Sequence, residues 1–486
     1  MGISLFTSRV ILQTLGVENY GIYNVVGGIV TLFTFVNGGM VSATQRYLTF
    51  EIGKGNTNQI NKVFSTSIQI HALISLVIVL LGETIGLWFL YNKLVIPAER
   101  MSAAFWVYQF SIIACVIRIM SIPYNAIIIA HEKMSAFAYI SILEVTLKLA
   151  ITYAIYITPW DKLISYALLM LGIHIIIRSI YTIYCKKHFK EAYYKHQIDK
   201  SLLKEMTSFA GWSLTTSIAY ILSSQGLNMM LNIFFGPVVN AARAIAVQIQ
   251  GTVRHFVSSV QVAINPQITK YYAVSQLTTM HVLMSRCARF SFFLLYIMSL
   301  PILIETNYIL SIWLGEVPAH TVAFTRLILV LTLLYPFSNP LIIANQATGK
   351  VKIFEMVSGI LLLALLPLSY VALKCGMPAY FVYLIQIFLE FATLISRLLL
   401  VRRDVNLSLT YFVKSAILPA IVVASISCVL PVLTYHYMDQ DIIGFITTTF
   451  ISIISTTLVV ILLGITANER KAIFSKLMII INKITK

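Results

Sequence analysis

Apolar residues run in stretches of about twenty along almost the whole chain, separated by short polar turns, the pattern of helices that cross a membrane. The pattern predicts spans at 21–43, 63–90, 103–129, 135–158, 163–185, 206–232, 238–265, 281–305, 321–346, 353–374, 380–401, 413–435 and 442–465, with residues 1–13 as the end of one more. Alternating strands of ~10 residues would not give such runs, which excludes a β-barrel. The fold class is therefore all-α, a polytopic integral membrane protein of 13–14 transmembrane helices.

The polar turns alternate in charge. One set is RYLTFEIGKGNTNQINK, HEK, KKHFKEAYYKHQIDKSLLK, the segment after Pro266, GKVK, VRRD with Lys414, and the tail from Arg470; counted with Arg286, Arg289 and Arg397 toward the cytoplasmic ends of their spans, it holds 24 of the 35 Lys and Arg residues. The other set, YNKLVIPAER, TPWDK, FFGP, WLGEVPAH, KCGMPAY and TYHYMDQD, holds 4. By the positive-inside rule the first set and the C-terminus face the cytoplasm.

Composition agrees: 58% of the 486 residues are hydrophobic and 11% charged, against about 25% charged in soluble domains. The net charge of +17 would suggest nucleic acid in a soluble chain, but no basic–aromatic array accompanies it, and nucleic acid is not an expected partner. Five scattered cysteines show no metal or redox spacing, so no metal and no cofactor is expected. No small-residue cleavage site follows the first apolar segment. No loop exceeds about 20 residues, leaving no room for an extramembrane catalytic domain and arguing against an enzyme.

Two stretches resemble each other: NAIIIAHEKMSAFAYISILE from Asn125 and NPLIIANQATGKVKIFEMVSG from Asn339. A weaker pair is SATQRYLTFEIG at 42–53 and INPQITKYYAVS at 264–275. The offsets, 339 − 125 = 214 and 267 − 45 = 222, suggest two six-helix lobes in one orientation. The expected organisation is an N-terminal lobe at 1–185, a basic cytoplasmic linker at 186–205, a C-terminal lobe at 206–401, two further helices at 402–465 and a basic tail at 466–486, with substrate between the lobes.

The seven basic residues outside both sets fall inside predicted spans: Arg9, Arg118, Lys148, Arg178, Arg243, Arg254 and Arg326. In the span GPVVNAARAIAVQIQGTVRHFVSSVQVAINPQ, residues Asn240, Arg243, Gln250, Arg254, Ser258, Gln261 and Asn265 lie within about 80° on a helix. A charge at the bilayer centre costs at least ~2.5–3.5 kcal/mol, so this stripe must face a bundle interior or a wet cavity; the opposite face is Val, Ile, Ala and Phe. Arg9 and Arg118 read either as cavity groups or as packing. Arg178 sits where it can snorkel, Arg326 near the outer boundary, and Lys148 four residues after Glu144, its expected partner. Away from the cytoplasmic ends of the spans, the intramembrane carboxylates are Glu83, Glu144, Glu305 and Glu390, and every Asp lies in a loop or at a span end. Seven basic groups against four acidic ones favour an anionic substrate, and a guanidinium binds phosphate oxygens bidentately.

With TSRVILQTLGVENYGIYNVVGGIV, SATQRYLTFEIGKG, IPYNAIIIAHEKM, VNAARAIAVQIQGTV, NPQITKYYA and PFSNPLIIANQATGKVK in place, the chain resembles the Wzx-type polysaccharide and O-antigen flippases of the multidrug/oligosaccharidyl-lipid/polysaccharide (MOP) exporter superfamily. The resemblance implies two lobes around a cavity that opens alternately to either side. It implies translocation of undecaprenyl-pyrophosphate-linked oligosaccharide units across the bacterial inner membrane, for surface polysaccharide or lipopolysaccharide synthesis. It implies as partners the lipid-linked oligosaccharide, membrane phospholipid, and a polysaccharide polymerase with its chain-length proteins. Similar flippases carry basic residues in the first, second and eighth helices, which Arg9, Arg243 and Arg254 match here. Arg46 in ATQRY lies near the cytoplasmic mouth, where it receives pyrophosphate or serves the positive-inside bias. Only about 13 residues precede LGVENYG, too few to span ~30 Å, so the first helix is expected to be incomplete.

The expected function is thus a flippase working by alternating access, with Arg9, Arg243, Arg254, Arg118, Arg46, Gln250, Gln261 and Asn240 as its substrate-binding set. The alternative within the superfamily is a multidrug or toxin antiporter, disfavoured by the lack of membrane Asp. A polymerase-like membrane enzyme would need a large outer loop. A scaffold has no use for a deep polar stripe.

Overall fold

A computed structural model describes residues 37–471 apart from 93, 95, 196–198 and 440, together with Thr14, Leu15, Asn19, Ile22, Tyr23, Val26, Gly27 and Ser475. Arg9 and most of the expected span 21–43 lie outside the described residues. Those described are almost entirely helical and include eleven helices long and apolar enough to cross a membrane. The chain divides into two compact units, 1–218 and 219–486. The division falls inside one long helix, beyond the basic stretch 186–205.

In the first unit, α1 (Asn37–Lys54), α2 (Thr57–Asn92), α3 (Met101–Ala130), α4 (Met134–Ile157) and α5 (Lys162–His188) precede α6 (Lys200–Phe235), which crosses the division. Helix α3 is central and packs against α1, α2 and α5. Its Tyr108, Ile112 and Ile119 fill the core with Leu90 of α2. A π-helical turn at Gly82–Gly86 interrupts α2, and the Tyr108 hydroxyl donates to the Gly82 carbonyl at 2.7 Å. Close packing also joins α1 to α6: a Cβ on Gly39 would stand 2.5 Å from the Ala210 carbonyl oxygen.

In the second unit follow α7 (Pro237–Ala273), α8 (Leu277–Ile304), the short α9 (Thr306–Leu314), α10 (Thr321–Thr332), α11 (Tyr335–Thr348), α12 (Val351–Lys374), α13 (Phe381–Val405), α14 (Leu409–Tyr437) and α15 (Ile442–Gly464). Helix α7 packs against α8, α10 and α11, and α13 against α11 and α12. The last two helices pack on α8, where the Tyr296 hydroxyl donates to the Ala424 carbonyl at 2.9 Å. Phe292, Phe337 and Phe412 close that core.

Several elements differ from expectation. The stretch from Arg46 to Lys54, read as loop, is helix; the chain turns at Gly55, whose φ of +74° suits glycine, and Asn56 caps α2. Helix α7 runs through Pro266 to Ala273 rather than stopping at 265. The expected span 321–346 is one span, Thr321–Thr348, built of two helical segments, α10 and α11, parted at Leu333–Leu334 with Pro336 opening the second.

The four turns flanking the repeated stretches share one backbone conformation. Glu132 (φ 59°), Gly349 (φ 77°), Gly55 (φ 74°) and Ser275 (φ 61°) each take the left-handed region. The next residue is Lys133 (−79°, 58°), Lys350 (−87°, 56°), Asn56 (−90°, 84°) or Gln276 (−84°, 60°), and each opens a new helix. The sequence similarity at these places thus has a counterpart in local geometry.

Candidate functional site

The stripe of α7 begins where Gly236, at φ +78°, breaks the run from α6, and Pro237 starts the new helix. Arg243 is 7% exposed. Its Nη2 donates to the Ser224 carbonyl (3.1 Å) and hydroxyl (3.2 Å), and its Nη1 to the Tyr383 hydroxyl at 3.3 Å. All three partners are neutral. Gln250 donates to the Thr332 hydroxyl at 3.0 Å. Three turns of helix beyond Arg243 and one beyond Gln250, the Arg254 guanidinium lies over the Tyr335 ring, 3.9 Å from its centroid, and is only half-buried.

Further along, Gln261 is 1% exposed with neither amide atom hydrogen-bonded. The Oδ1 atoms of Asn240 and Asn265 are likewise buried without a partner. Such groups each cost on the order of 1–3 kcal/mol.

The stripe meets a polar line on α13. Tyr383, Glu390 and Arg397 recur every seven residues and so share one face. Arg397 Nη1 donates to Glu390 Oε1 at 3.4 Å, and the Ser338 hydroxyl of α11 donates to the same oxygen at 3.5 Å. Arg397 Nε is buried and unpartnered, and the charge of Glu355 on α12 also acts on Arg397. The sequence reading names Glu390 without a role, counts Arg397 with the cytoplasmic charges, and does not single out Tyr383 or Glu355. The heptad spacing on α13 was the available signal.

Beyond the stripe, α7 exposes Ala241, Ala244, Gln248, Thr252, His255 and Ser259, beside Val247, Phe256 and Val260. The face read as apolar therefore carries a second polar strip. Helix α4 exposes Tyr139, Ile142 and Tyr153, and α12 exposes Ile360, Leu363 and Val371, as lipid contact requires. The polarity of α7 explains why it does not count among the eleven apolar spans.

The remaining candidates belong to the first unit. Arg46 is 9% exposed and its guanidinium sits among the rings of Tyr47 (4.4 Å), Phe50 (4.8 Å) and Phe209 (5.9 Å). Arg118 is exposed on α3; with Glu144 and Lys148 of α4 it acts electrostatically on His174 of α5. Lys148 pairs with Glu144 at 2.5 Å, as its spacing implied.

Arg178 lies 4.5 Å over the Tyr124 ring with Nη1 buried. Arg326 of the second unit ties to the C-terminal end of α8 through the carbonyls of Leu303 (3.1 Å) and Ile304 (3.3 Å), a structural task. Arg243, Gln250 and Arg254 are thus brought onto one surface of α7 opposite α10, α11 and α13, while Arg46 and Arg118 have separate surroundings.

This helical architecture is that of a membrane transporter fold. A MATE crystal structure in the straight conformation matches with a TM-score of 0.70 at 13% identity, over 83% of this chain and 92% of that one. An outward-facing multidrug resistance MATE family transporter of the MOP superfamily gives 0.69 at 13% identity, over 84% and 93%. A MOP superfamily transporter from Pyrococcus furiosus, whose binding pocket of reverse polarity suggests a different function, gives 0.68 at 14% identity, over 84% and 93%. No family model matches the chain, and no curated protein is similar to it in sequence. At such identities the likeness establishes the fold.

Proposed function

We propose that the chain is a transporter, not an enzyme, that flips an undecaprenyl-pyrophosphate-linked oligosaccharide across the bacterial inner membrane by alternating access, with its C-terminus in the cytoplasm. The observation that carries this reading is α7. It holds Arg243 and Arg254 on one surface and presents Gln248, Thr252, His255 and Ser259 on its exposed face. A helix of this polarity is stable in a bilayer only beside water or protein, which suits the wall of an aqueous passage. Arg254, half-buried and stacked rather than ion-paired at close range, has donors free for a phosphate. Gln261 and Asn265 have unmet hydrogen-bonding capacity suited to sugar hydroxyls. Arg243, fully engaged by Ser224 and Tyr383, supplies positive potential rather than a direct ligand.

Export of a cationic drug is the second reading, favoured by the multidrug resistance description of one structural neighbour. The cationic surface of α7 opposes it. The Pyrococcus furiosus transporter suggests that a change of pocket polarity on this fold goes with a change of function.

The test is complementation of a strain lacking its O-antigen flippase, with Arg254→Ala and Arg243→Ala variants matched for membrane abundance. Surface glycan restored by the wild type and lost with Arg254→Ala supports the reading. Restoration by Arg254→Ala as full as by wild type refutes the arginine's role. Drug resistance conferred without glycan rescue would favour the second reading.

A further inference from the structure

We propose that Glu390 is a built-in rival for the anionic group of the substrate. It neutralises Arg254 and Arg397 until phosphate oxygens arrive, then cedes Arg254 to them and stays with Arg397. The inference rests on the reading above, that α7 receives a pyrophosphate-linked substrate.

Helix α11 places the participants. Tyr335 carries the Arg254 guanidinium on its ring at 3.9 Å, and Ser338, three residues on and hence about 4.5 Å along the same face, donates to Glu390 at 3.5 Å. Arg254 and Glu390 are therefore anchored one turn of α11 apart, and their charges act on each other. On its other side Glu390 accepts from Arg397 at 3.4 Å. The groups acting on Glu390 are thus Arg254 from α7, Ser338 from α11, and Arg397 from α13 itself. Glu355 of α12 offsets Arg397.

Two features make the carboxylate a competitor rather than a fixed strut. Its contacts with Arg397 and Ser338 are long for charge-assisted hydrogen bonds, which run about 2.7–2.9 Å. Its side chain is 24% exposed while that of Arg397 is 10% exposed, so an incoming anion reaches Arg254 and Glu390 before Arg397. Pyrophosphate carries more negative charge than one carboxylate and offers the bidentate geometry a guanidinium favours, so it displaces Glu390. When the substrate leaves, Glu390 returns and keeps the arginine from retaining it.

Such a residue has an unusual signature: its removal tightens binding and slows turnover. A merely structural residue gives no gain in affinity. The experiment measures binding of inorganic pyrophosphate to the purified full-length chain by calorimetry, for wild type, E390Q, R254A and the R254A/E390Q double variant. E390Q is expected to bind about tenfold more tightly, the scale of one charge coupling in a partly buried site. The double variant is expected to show no such gain over R254A, and E390Q to restore less glycan than wild type in the flippase-null strain. E390D, one methylene shorter, is expected to show a smaller gain and serves if E390Q does not fold.

Equal or weaker binding by E390Q and E390D, with R254A still impaired, overturns the role of Glu390 and leaves the arginine site intact. Failure of every chain, wild type included, to bind pyrophosphate overturns the arginine site itself and this inference with it.

Discussion

Glu469, just beyond α15, offers a quantitative test of how the second unit holds its C-terminal end. Thr466 and Glu469 form a capping box: the Thr466 amide donates to Glu469 Oε2 at 2.9 Å, and the Glu469 amide to the Thr466 hydroxyl at 3.4 Å. The same carboxylate accepts two bonds from Arg289 Nη2, at 2.6 and 2.7 Å, and faces Arg286 at 3.0 Å. Arg289 is 6% exposed and has one further acceptor, the Ser415 carbonyl at 3.3 Å. Glu469→Gln keeps the capping geometry, since glutamine serves a capping box equally, and deletes only the charge. The buried Arg289 charge then loses its counter-ion, at a cost of about 2–3 kcal/mol. Half-exposed Arg286, by contrast, contributes no more than about 1 kcal/mol.

The assay is hydrogen–deuterium exchange at the Arg470 amide, which bonds to the Thr466 carbonyl at 2.9 Å. Glu469→Gln is expected to speed exchange roughly 30- to 100-fold, at 1.4 kcal/mol per factor of ten, and Arg286→Gln less than about fivefold. Equal effects of the two substitutions, or a change under threefold for Glu469→Gln, would refute the reasoning. Burial alone raises the Glu469 pKa, but the Thr466 bonds and the charges of Arg289 and Arg286 outweigh it and hold the carboxyl below its ordinary 4.5. The tether is therefore at full strength above pH 4.5 and is lost as pH falls below it through the lowered value; Glu469→Gln is expected to remove that dependence.

Gln261→Leu replaces an amide with two buried, unpartnered atoms; thermal stability in detergent is expected to rise by about 1 kcal/mol while glycan rescue falls, and rescue at wild-type level would remove Gln261 from the site. Gly39→Ala drives a methyl to 2.5 Å from the Ala210 carbonyl oxygen and is expected to cost about 1–3 kcal/mol, read as a lower melting temperature. Asn61→Ala orphans the carbonyls of Glu191 and Tyr193, which its Nδ2 bonds at 2.9 and 2.6 Å. Limited proteolysis is expected to cut near 191–195 faster in that variant, and unchanged cleavage would show the segment held by other contacts.

Hydropathy made the spans legible because lipid imposes one requirement on every exposed face. It misjudged helix ends, since a helix continues past the membrane until a backbone signal stops it. At Lys54 that signal is Gly55–Asn56, and at Ala273 it is Ser275 in the left-handed region, neither of which hydropathy registers. The polar stripe of α7 was legible from its period, but not what lies opposite. Arg397 sits five residues before Arg402 and so passed for a flanking charge, although α13 buries it beside Glu390. Which arginine is satisfied by neutral groups, as Arg243 is, and which stands ready for an anion, as Arg254 does, depends on partners 19 to 140 residues away.

The polarity of α7 also bears on how the chain is made. Two arginines at ~2.5–3.5 kcal/mol each, with Gln248, Gln250, Gln261 and Asn265, leave this segment without the apolar drive to leave a translocon alone. One residue, Gly236, separates it from α6, so the two emerge together as a helical hairpin. Nascent chains ending before α8 are expected to leave α7 at the membrane surface, and synthesis of the second unit becomes a step in which partition into lipid waits on neighbours yet to be translated.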